Sequence, residues 1–245
     1  MIEEKDYIKA MLIYKKILKD KNIQDVFLYN ERTKTINVDE QALIDAENYF
    51  SCLKTVNWED KKSLSLDEEE ILLYMKKRGF YASTLNFAGM KYTYNKNYPI
   101  IFPILDQNIF KGYVCRTTNK LIEKKRKYLY NKGFSRQTTL CGKHTLYKKL
   151  IVVEGFLDRL KFIQYGYKNA VAIFGWKATE YQLNQMKNKN IICATDNDDC
   201  GEKGYKYLKS IYPSTKRLIY PQGIKDAGDL DLKKIKMLEE TICQF

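Results

Sequence analysis

Two short acidic clusters, each closing an apolar run, carry the residues of this chain that could do chemistry. Ile151-Val152-Val153 runs into Glu154, Gly155 and Asp158, and Ile191-Ile192-Cys193-Ala194-Thr195 runs into Asp196, Asp198 and Asp199, with Gly201 just beyond. A carboxylate at the end of an apolar strand cannot stay buried and unpaired without a large desolvation cost, so Glu154 must meet a cleft, a cation or water. Asp196 and Asp198 lie two residues apart, and in extended backbone they point to the same side and could share a cation. Without one, each charge raises the pKa of the other. A third group, Lys225-Asp226-Ala227-Gly228-Asp229, adds two more carboxylates. Taken singly, each cluster reads as a solvated turn. Three in this order, on strand ends, read better as a site for Mg²⁺ or Mn²⁺, because magnesium takes one or two carboxylates together with water and substrate phosphates.

The elements that must hold these groups follow from the periodicity around them. From residue 150 onward strands and helices alternate: strand 150–153, helix 158–165, strand 170–173, helix 179–187, strand 191–194, a helix after Gly201 and a strand over 216–220. Such alternation predicts an α/β fold, a mainly parallel sheet with helices on both faces, whose ligands bind at the carboxyl edge of the strands. Upstream, Ser65 or Asp67 caps a helix with Glu68, Glu69 and Glu70 in its first turn, and Gly79 ends it. A short helix starts near Ser83-Thr84. Segments 100–106 and 110–116 read as strands joined at Asp106-Gln107-Asn108, followed by a cationic run over 120–132 that interleaves Tyr128 and Tyr130. In the first 60 residues, Tyr7, Met11, Tyr14 and Leu18 recur at helical spacing, and a strand pair is expected around Asn30-Glu31-Arg32.

Lys and Arg number 43 against 30 Asp and Glu, leaving a net charge of +13. Charge of that sign favours nucleic acid or another anionic partner. No apolar run is long enough to span a bilayer, and Met1-Ile2-Glu3-Glu4-Lys5-Asp6 has no signal-peptide pattern, so a cytoplasmic protein with no membrane partner is expected. Six scattered cysteines without a Cys-x-x-Cys pair, and a single histidine, argue against zinc. That histidine, His144, lies in a lysine-rich loop and reads as a surface group or phosphate contact. Trp176 reads as a core aromatic, with a stacking platform as the alternative, and Gly201 and Gly204 as residues for helix entry and close packing.

The segment from 150 to 232 resembles a Toprim domain, the metal-binding fold of bacterial-type primases, topoisomerases and some nucleases. The resemblance is carried by Glu154-Gly155-Phe156-Leu157-Asp158 and by Asp196-Asn197-Asp198 with Gly201. Gly166-Tyr167-Lys168-Asn169-Ala170-Val171-Ala172, Phe174-Gly175 and the closing Lys225-Asp226 through Asp229-Leu230 are similar to the primase version. Upstream, Tyr74 to Phe80, Phe102-Pro103-Ile104-Leu105-Asp106, Gly112-Tyr113-Val114-Cys115-Arg116, Lys127-Tyr128-Leu129-Tyr130-Asn131 and Leu140-Cys141-Gly142 resemble the basic subdomain of the DnaG-type DNA primase catalytic core.

The resemblance implies a Toprim domain over 149–245 packed against an α+β basic subdomain over 63–148, with an extension of unknown role over 1–62. It implies that Glu154, Asp196 and Asp198 hold the catalytic magnesium, and that Asp158, Asp226 and Asp229 complete the acidic cleft or hold a triphosphate-bound metal. Arg116, Lys127, Asn131, Lys143 and Lys225 would contact template or nucleotide phosphates. The implied activity is two-metal synthesis of short RNA primers from ribonucleoside triphosphates on single-stranded DNA. Its implied partners are a replicative helicase or a separate zinc-binding initiation protein. A Toprim nuclease and a non-catalytic nucleic-acid-binding replication or defence protein are the alternatives. Relative to the family, the zinc-binding and helicase-binding domains are expected to be absent, and the aspartates of the third acidic motif stand three apart rather than two.

Overall fold

The computed structural model describes residues 38–243. The helix through Tyr7, Met11, Tyr14 and Leu18 and the strand pair around Asn30-Glu31-Arg32 lie outside the described residues. Helix α1 (Val38–Cys52) comes first, followed by α2 (Leu66–Lys77) and α3 (Ala82–Phe87). Ser65 starts α2 with a reciprocal cap: its side chain accepts from the Glu68 N–H, and the Glu68 carboxylate accepts from the Ser65 N–H at 2.8 Å.

An antiparallel sheet follows, in the order β1 (Lys91–Tyr92), β2 (Ile100–Asp106), β3 (Ile109–Arg116), β4 (Tyr128–Tyr130), with the short helix α4 (Lys120–Glu123) between the last two. Gln107 and Asn108 join β2 to β3 with φ of 52° and 67°. Two central residues with positive φ match the twist of a two-residue hairpin. Helix α1 packs on β3 through Tyr49 against Tyr113 and Phe50 against Phe110.

The second sheet is parallel throughout, in the order β6 (Ala170–Ala172), β5 (Lys149–Val153), β7 (Asn190–Cys193), β8 (Lys216–Arg217). Its helices are α5 (Phe156–Gln164), α6 (Glu180–Met186) and α7 (Asp199–Ile211), with α8 (Leu232–Cys243) closing the chain. Alternate side chains of β5 enter two different cores. Ile151 and Val153 pack with Phe156, Leu157 and Leu160 of α5 and with Ile100, Phe102 and Ile104 of β2. Leu150 and Val152 pack with Met186 of α6 and Leu208 of α7. Burial on both faces explains why these strands read as unbroken apolar runs.

Cys141 and Gly142 stitch the two sheets together. Cys141 exchanges backbone hydrogen bonds with Ala172 of β6, while Gly142 donates to Leu105 O at 2.9 Å and accepts from Gln107 N at 3.0 Å. A buried polar network supports this seam. Asp106 Oδ1 pairs with His144 Nε2 at 2.9 Å, and its Oδ2 accepts from Leu140 N–H at 2.9 Å and from the Tyr181 hydroxyl at 3.1 Å. His144 is therefore buried at the seam rather than exposed as its lysine-rich surroundings suggested, because Asp106 supplies the partner that burial demands.

Three further expectations are corrected. Helix α7 begins at Asp199 instead of after Gly201, since Asp198 caps it. Strand β8 covers two residues rather than five, and Ile219 beyond it is exposed. Trp176 is exposed, not core. No helix among the described residues is long and apolar enough to cross a membrane.

Candidate active site

The acidic groups collect where the parallel sheet changes direction. Strand β5 leads into α5 on one face, whereas β7, its neighbour, leads into α7 on the other. Connections that diverge from adjacent strands open a crevice at their carboxyl ends. Glu154 sits at the end of β5 and Asp196 just beyond β7, so both line that crevice. The Asp196 N–H donates to Glu154 Oε1 at 3.3 Å.

Each remaining carboxylate has its own local reason for being there. Asp158, in the first turn of α5, accepts from the Gly155 N–H at 3.1 Å. Asp198 caps α7: its Oδ1 accepts from the N–H groups of Cys200 and Gly201, both at 3.0 Å, and its Oδ2 lies 4.0 Å from Lys225 Nζ. The third acidic loop is tied to the second by the Asn197 N–H, which donates to Lys225 O at 2.6 Å. Asp226 and Asp158 approach one another at Gly228, where a Cβ would lie 2.7 Å from an Asp226 oxygen and 3.9 Å from an Asp158 oxygen. Asp229 turns back instead, its Oδ2 accepting from the Lys225 N–H at 3.2 Å. It latches its own loop, because the third residue of spacing carries it round the 3₁₀ turn Ala227–Asp229.

Crowding and burial favour the neutral form of these carboxyl groups. Burial, then Asp196 and Asp198, pushes Glu154 up to about 7. Burial, then Asp226 and Asp196, pushes Asp158 up to about 7. Burial, then Asp226 and Asp198, pushes Asp196 up to about 6, against the opposing pull of Lys225 and Lys127. Carboxylates raised in this way repel one another until a cation neutralises them. Among the described residues, no three acidic, cysteine or histidine side chains are already drawn into a metal-holding group. The donor set nevertheless suits a hard divalent ion: carboxylate oxygens from three loops, with one or two needed for magnesium. Glu154, Asp158, Asp196, Asp198 and Asp226 are the residues placed to supply them.

The expected phosphate contacts divide. Lys127, exposed just before β4, carries a charge that draws the Asp196 carboxyl down against the effect of burial. Lys225 is at the crevice itself. Lys143 is exposed and lines a small apolar cleft with Phe87, Leu105, Phe156 and Leu160. Arg116, expected to reach template, is buried: its guanidinium pairs with Glu123, donates to the Tyr74 hydroxyl at 3.2 Å and stacks over the Tyr128 ring at 4.9 Å. Asn131 has both amide atoms engaged, accepting from the Tyr113 N–H at 2.6 Å and donating to Lys132 O at 2.7 Å. Both hold the antiparallel sheet in shape: the buried Arg116 guanidinium needs its partners, and the half-buried Asn131 clamps β3 to the turn after β4.

Two residues went unnoticed in the sequence. Arg217 donates to Asp196 O at 3.3 Å and Gly201 O at 3.0 Å, and pairs with Glu202 at 3.1 Å. Buried Tyr220 donates to Ala194 O at 2.9 Å. Together they brace the Asp196 loop from β8 and the segment after it. Nothing in a Lys-rich sequence distinguishes Arg217 from its neighbours.

The chain is similar to known proteins. A Toprim-like family profile matches residues 151–231. The uncharacterized protein MG010 of Mycoplasma genitalium is 30% identical over 174 residues, covering 65% of this chain and 78% of that protein. The chain belongs to the Toprim-domain family and resembles the catalytic core of DnaG-type DNA primase. The Toprim chain is 28% identical to the DNA primase of Clostridium acetobutylicum over 191 residues, 69% of its own length and 31% of that primase. It is 28% identical to the DNA primase of Buchnera aphidicola over 228 residues, 86% of its length and 38% of that protein. It thus spans about a third of the curated primases it matches. A DnaG primase catalytic domain solved bound to ssDNA superposes with a TM-score of 0.64 at 19% identity, over 84% of this chain and 79% of that one. The RNA polymerase domain of Mycobacterium tuberculosis primase superposes at 0.63 and 15% identity, over 83% of each. The Toprim chain therefore has the α/β fold of a primase core.

Proposed function

We propose that this chain is the catalytic core of a primase, joining ribonucleotides on single-stranded DNA by metal-dependent nucleotidyl transfer. One observation supports this most: the carboxylates of three loops gather at the divergence of β5 and β7, where the Asp196 N–H bonds Glu154 and the Asn197 N–H bonds Lys225 O. Magnesium or manganese held by Glu154, Asp158, Asp196, Asp198 and Asp226 would activate a ribose 3′-hydroxyl and neutralise departing pyrophosphate.

The protein's own groups do the rest by position. Lys225, 4.0 Å from Asp198, and the exposed Lys127 would orient triphosphate or template phosphate beside the acidic crevice. Arg217 and Tyr220, bonded to the backbone of the Asp196 loop, keep that loop from relaxing away under charge repulsion. Helix α7 begins at the crevice, and the N–H groups of Cys200 and Gly201 fix the Asp198 carboxylate in position there. Primase activity in a cell would draw in ribonucleoside triphosphates and a helicase or an initiation partner.

The deciding experiment incubates the protein with single-stranded DNA, labelled ribonucleotides and Mg²⁺ or Mn²⁺. Short labelled RNA supports this reading. Shortened or nicked DNA supports a Toprim nuclease instead, and DNA retained without chemistry supports a binding protein.

A further inference from the structure

Trp176 stands at the acidic edge without any part in the chemistry above. The chain has two tryptophans. Trp58 is fully buried and donates its indole N–H to Met90 O at 2.8 Å, whereas Trp176 is 41% exposed. The backbone holds it there. Phe174, a bulky residue at φ 57°, adopts the left-handed conformation that such side chains rarely tolerate, and Gly175 follows at φ 150°. Burial of the Phe174 ring against Tyr130 and Phe134, at centroid distances of 5.9 and 5.1 Å, keeps that backbone in place. Strained backbone that the surrounding packing over-determines is a feature of ligand-binding loops.

The loop is fixed on both sides. Arg136 lies against Gly175 and donates to Lys177 O at 3.3 Å. On the other side the Trp176 carbonyl rests on α7, where a Cβ at Gly204 would come within 2.4 Å of it. The same point lies 3.6 Å from Thr195 Cγ2, the residue before Asp196, so the tryptophan loop abuts the catalytic aspartate loop. Arg136, Lys177 and Lys203 are exposed around it.

We propose that Trp176 is a stacking platform for an unpaired base of single-stranded DNA at the acidic crevice, with Arg136 and Lys177 meeting the adjoining phosphates. The proposal rests on the nucleic-acid reading of the site. An indole held out by packed backbone loses little entropy on binding, and every base offers a π-face, so the contact serves any template sequence. The flanking cations supply the salt-sensitive share of the affinity.

Two titrations with a thymidine oligonucleotide test it, one read by tryptophan emission and one by the anisotropy of a labelled strand. Wild-type emission is expected to quench saturably, since Trp58 is shielded and Trp176 reports. Trp176→Ala should weaken binding at least about fivefold, the order expected for one stacked base, while Trp176→Phe retains most of it with an unchanged melting temperature. Binding seen by anisotropy in wild type with no quenching, and with Trp176→Ala binding equally well, would overturn the platform and leave the primase reading standing. No anisotropy change with wild type would overturn the nucleic-acid reading and the platform with it.

Discussion

The Asp196 N–H donates to Glu154 Oε1 across 3.3 Å, tying the loop after β7 to the end of β5. Two acidic loops 42 residues apart in sequence are thereby held as one anionic surface, further crowded by Asp158, Asp198 and Asp226. Such a surface is stable only at the expense of its neighbours' packing or with a cation, and the consequences can be measured.

Removing a charge should separate stability from catalysis. Glu154→Gln and Asp196→Asn each delete one repelling charge, so the metal-free variants should melt at or above the wild-type temperature. Both should lose the stabilisation that Mg²⁺ gives wild type, and nucleotide addition should fall by at least about 10²-fold, as for loss of an electrostatic group in a reacting site. Single-strand binding should change little. Calorimetry with and without Mg²⁺, beside the primer-synthesis assay, checks this, and full activity in either variant would remove these residues from the site.

Acidity should act in a defined direction. Glu154, Asp158 and Asp196 are raised to about 7, 7 and 6 from ordinary carboxylate values near 4. Between roughly pH 4 and 7 the folded chain therefore holds protons that the unfolded chain has released, and stability falls as pH rises through that window. Metal-free protein should melt higher at pH 5 than at pH 7.5, and Mg²⁺ should help more at the higher pH. A melting temperature that rises from pH 5 to 7.5 without metal would contradict the crowded arrangement.

The first turn of α7 has no room for a side chain at Gly201. A Cβ there would come within 1.9 Å of the Asp196 carbonyl oxygen, and the obstruction is backbone. Gly201→Ala should displace the Asp196 loop, destabilising the fold by about 1–3 kcal/mol and lowering Mg²⁺ affinity. Gly166, with nothing within 4 Å of a Cβ, gives a control for which only its φ of 95° matters. Denaturant melts and Mg²⁺ titration of Gly201→Ala would show whether packing and metal affinity fall together.

The seam between the sheets depends on Asp106. Burial favours its neutral form, but bonds from His144, the Leu140 N–H and Tyr181 outweigh that and hold its carboxyl below the usual value. A depressed carboxyl stabilises the fold at neutral pH, and that share is lost as pH falls below about 4. Asp106→Ala leaves a buried imidazole, amide and hydroxyl without their acceptor and should cost about 3 kcal/mol or more. Chemical denaturation at pH 7 measures it; a loss under 1 kcal/mol would show that the seam is held elsewhere.

Much of the parallel-sheet half was legible because its signals are local. Apolar runs ending in carboxylates marked β5 and β7, and alternation with amphipathic helices marked the parallel sheet. The turn at Gln107-Asn108 was equally plain, and the helix cap was narrowed to Ser65 or Asp67, since each uses neighbours in sequence. What was not legible depended on distant partners. His144 read as a surface group or phosphate contact and Arg116 as a phosphate contact until Asp106, 38 residues from the histidine, and Glu123 with Tyr74 gave the two residues buried pairings. Trp176 read as core because an apolar ring ordinarily is, and the left-handed turn at Phe174 that holds it in solvent is set by packing against Tyr130 and Phe134.

By itself the amino-acid order determined which groups could carry negative charge to the ends of strands, since periodicity and turn chemistry act within a few residues. Which of those groups face one another was decided only by tertiary structure. Strand order brought Glu154 beside Asp196, a 3₁₀ turn sent Asp226 inward and Asp229 back onto its own loop, and Arg217 arrived from β8 to hold the result. Convergence of this kind depends on long-range contacts, whose geometry no local pattern encodes.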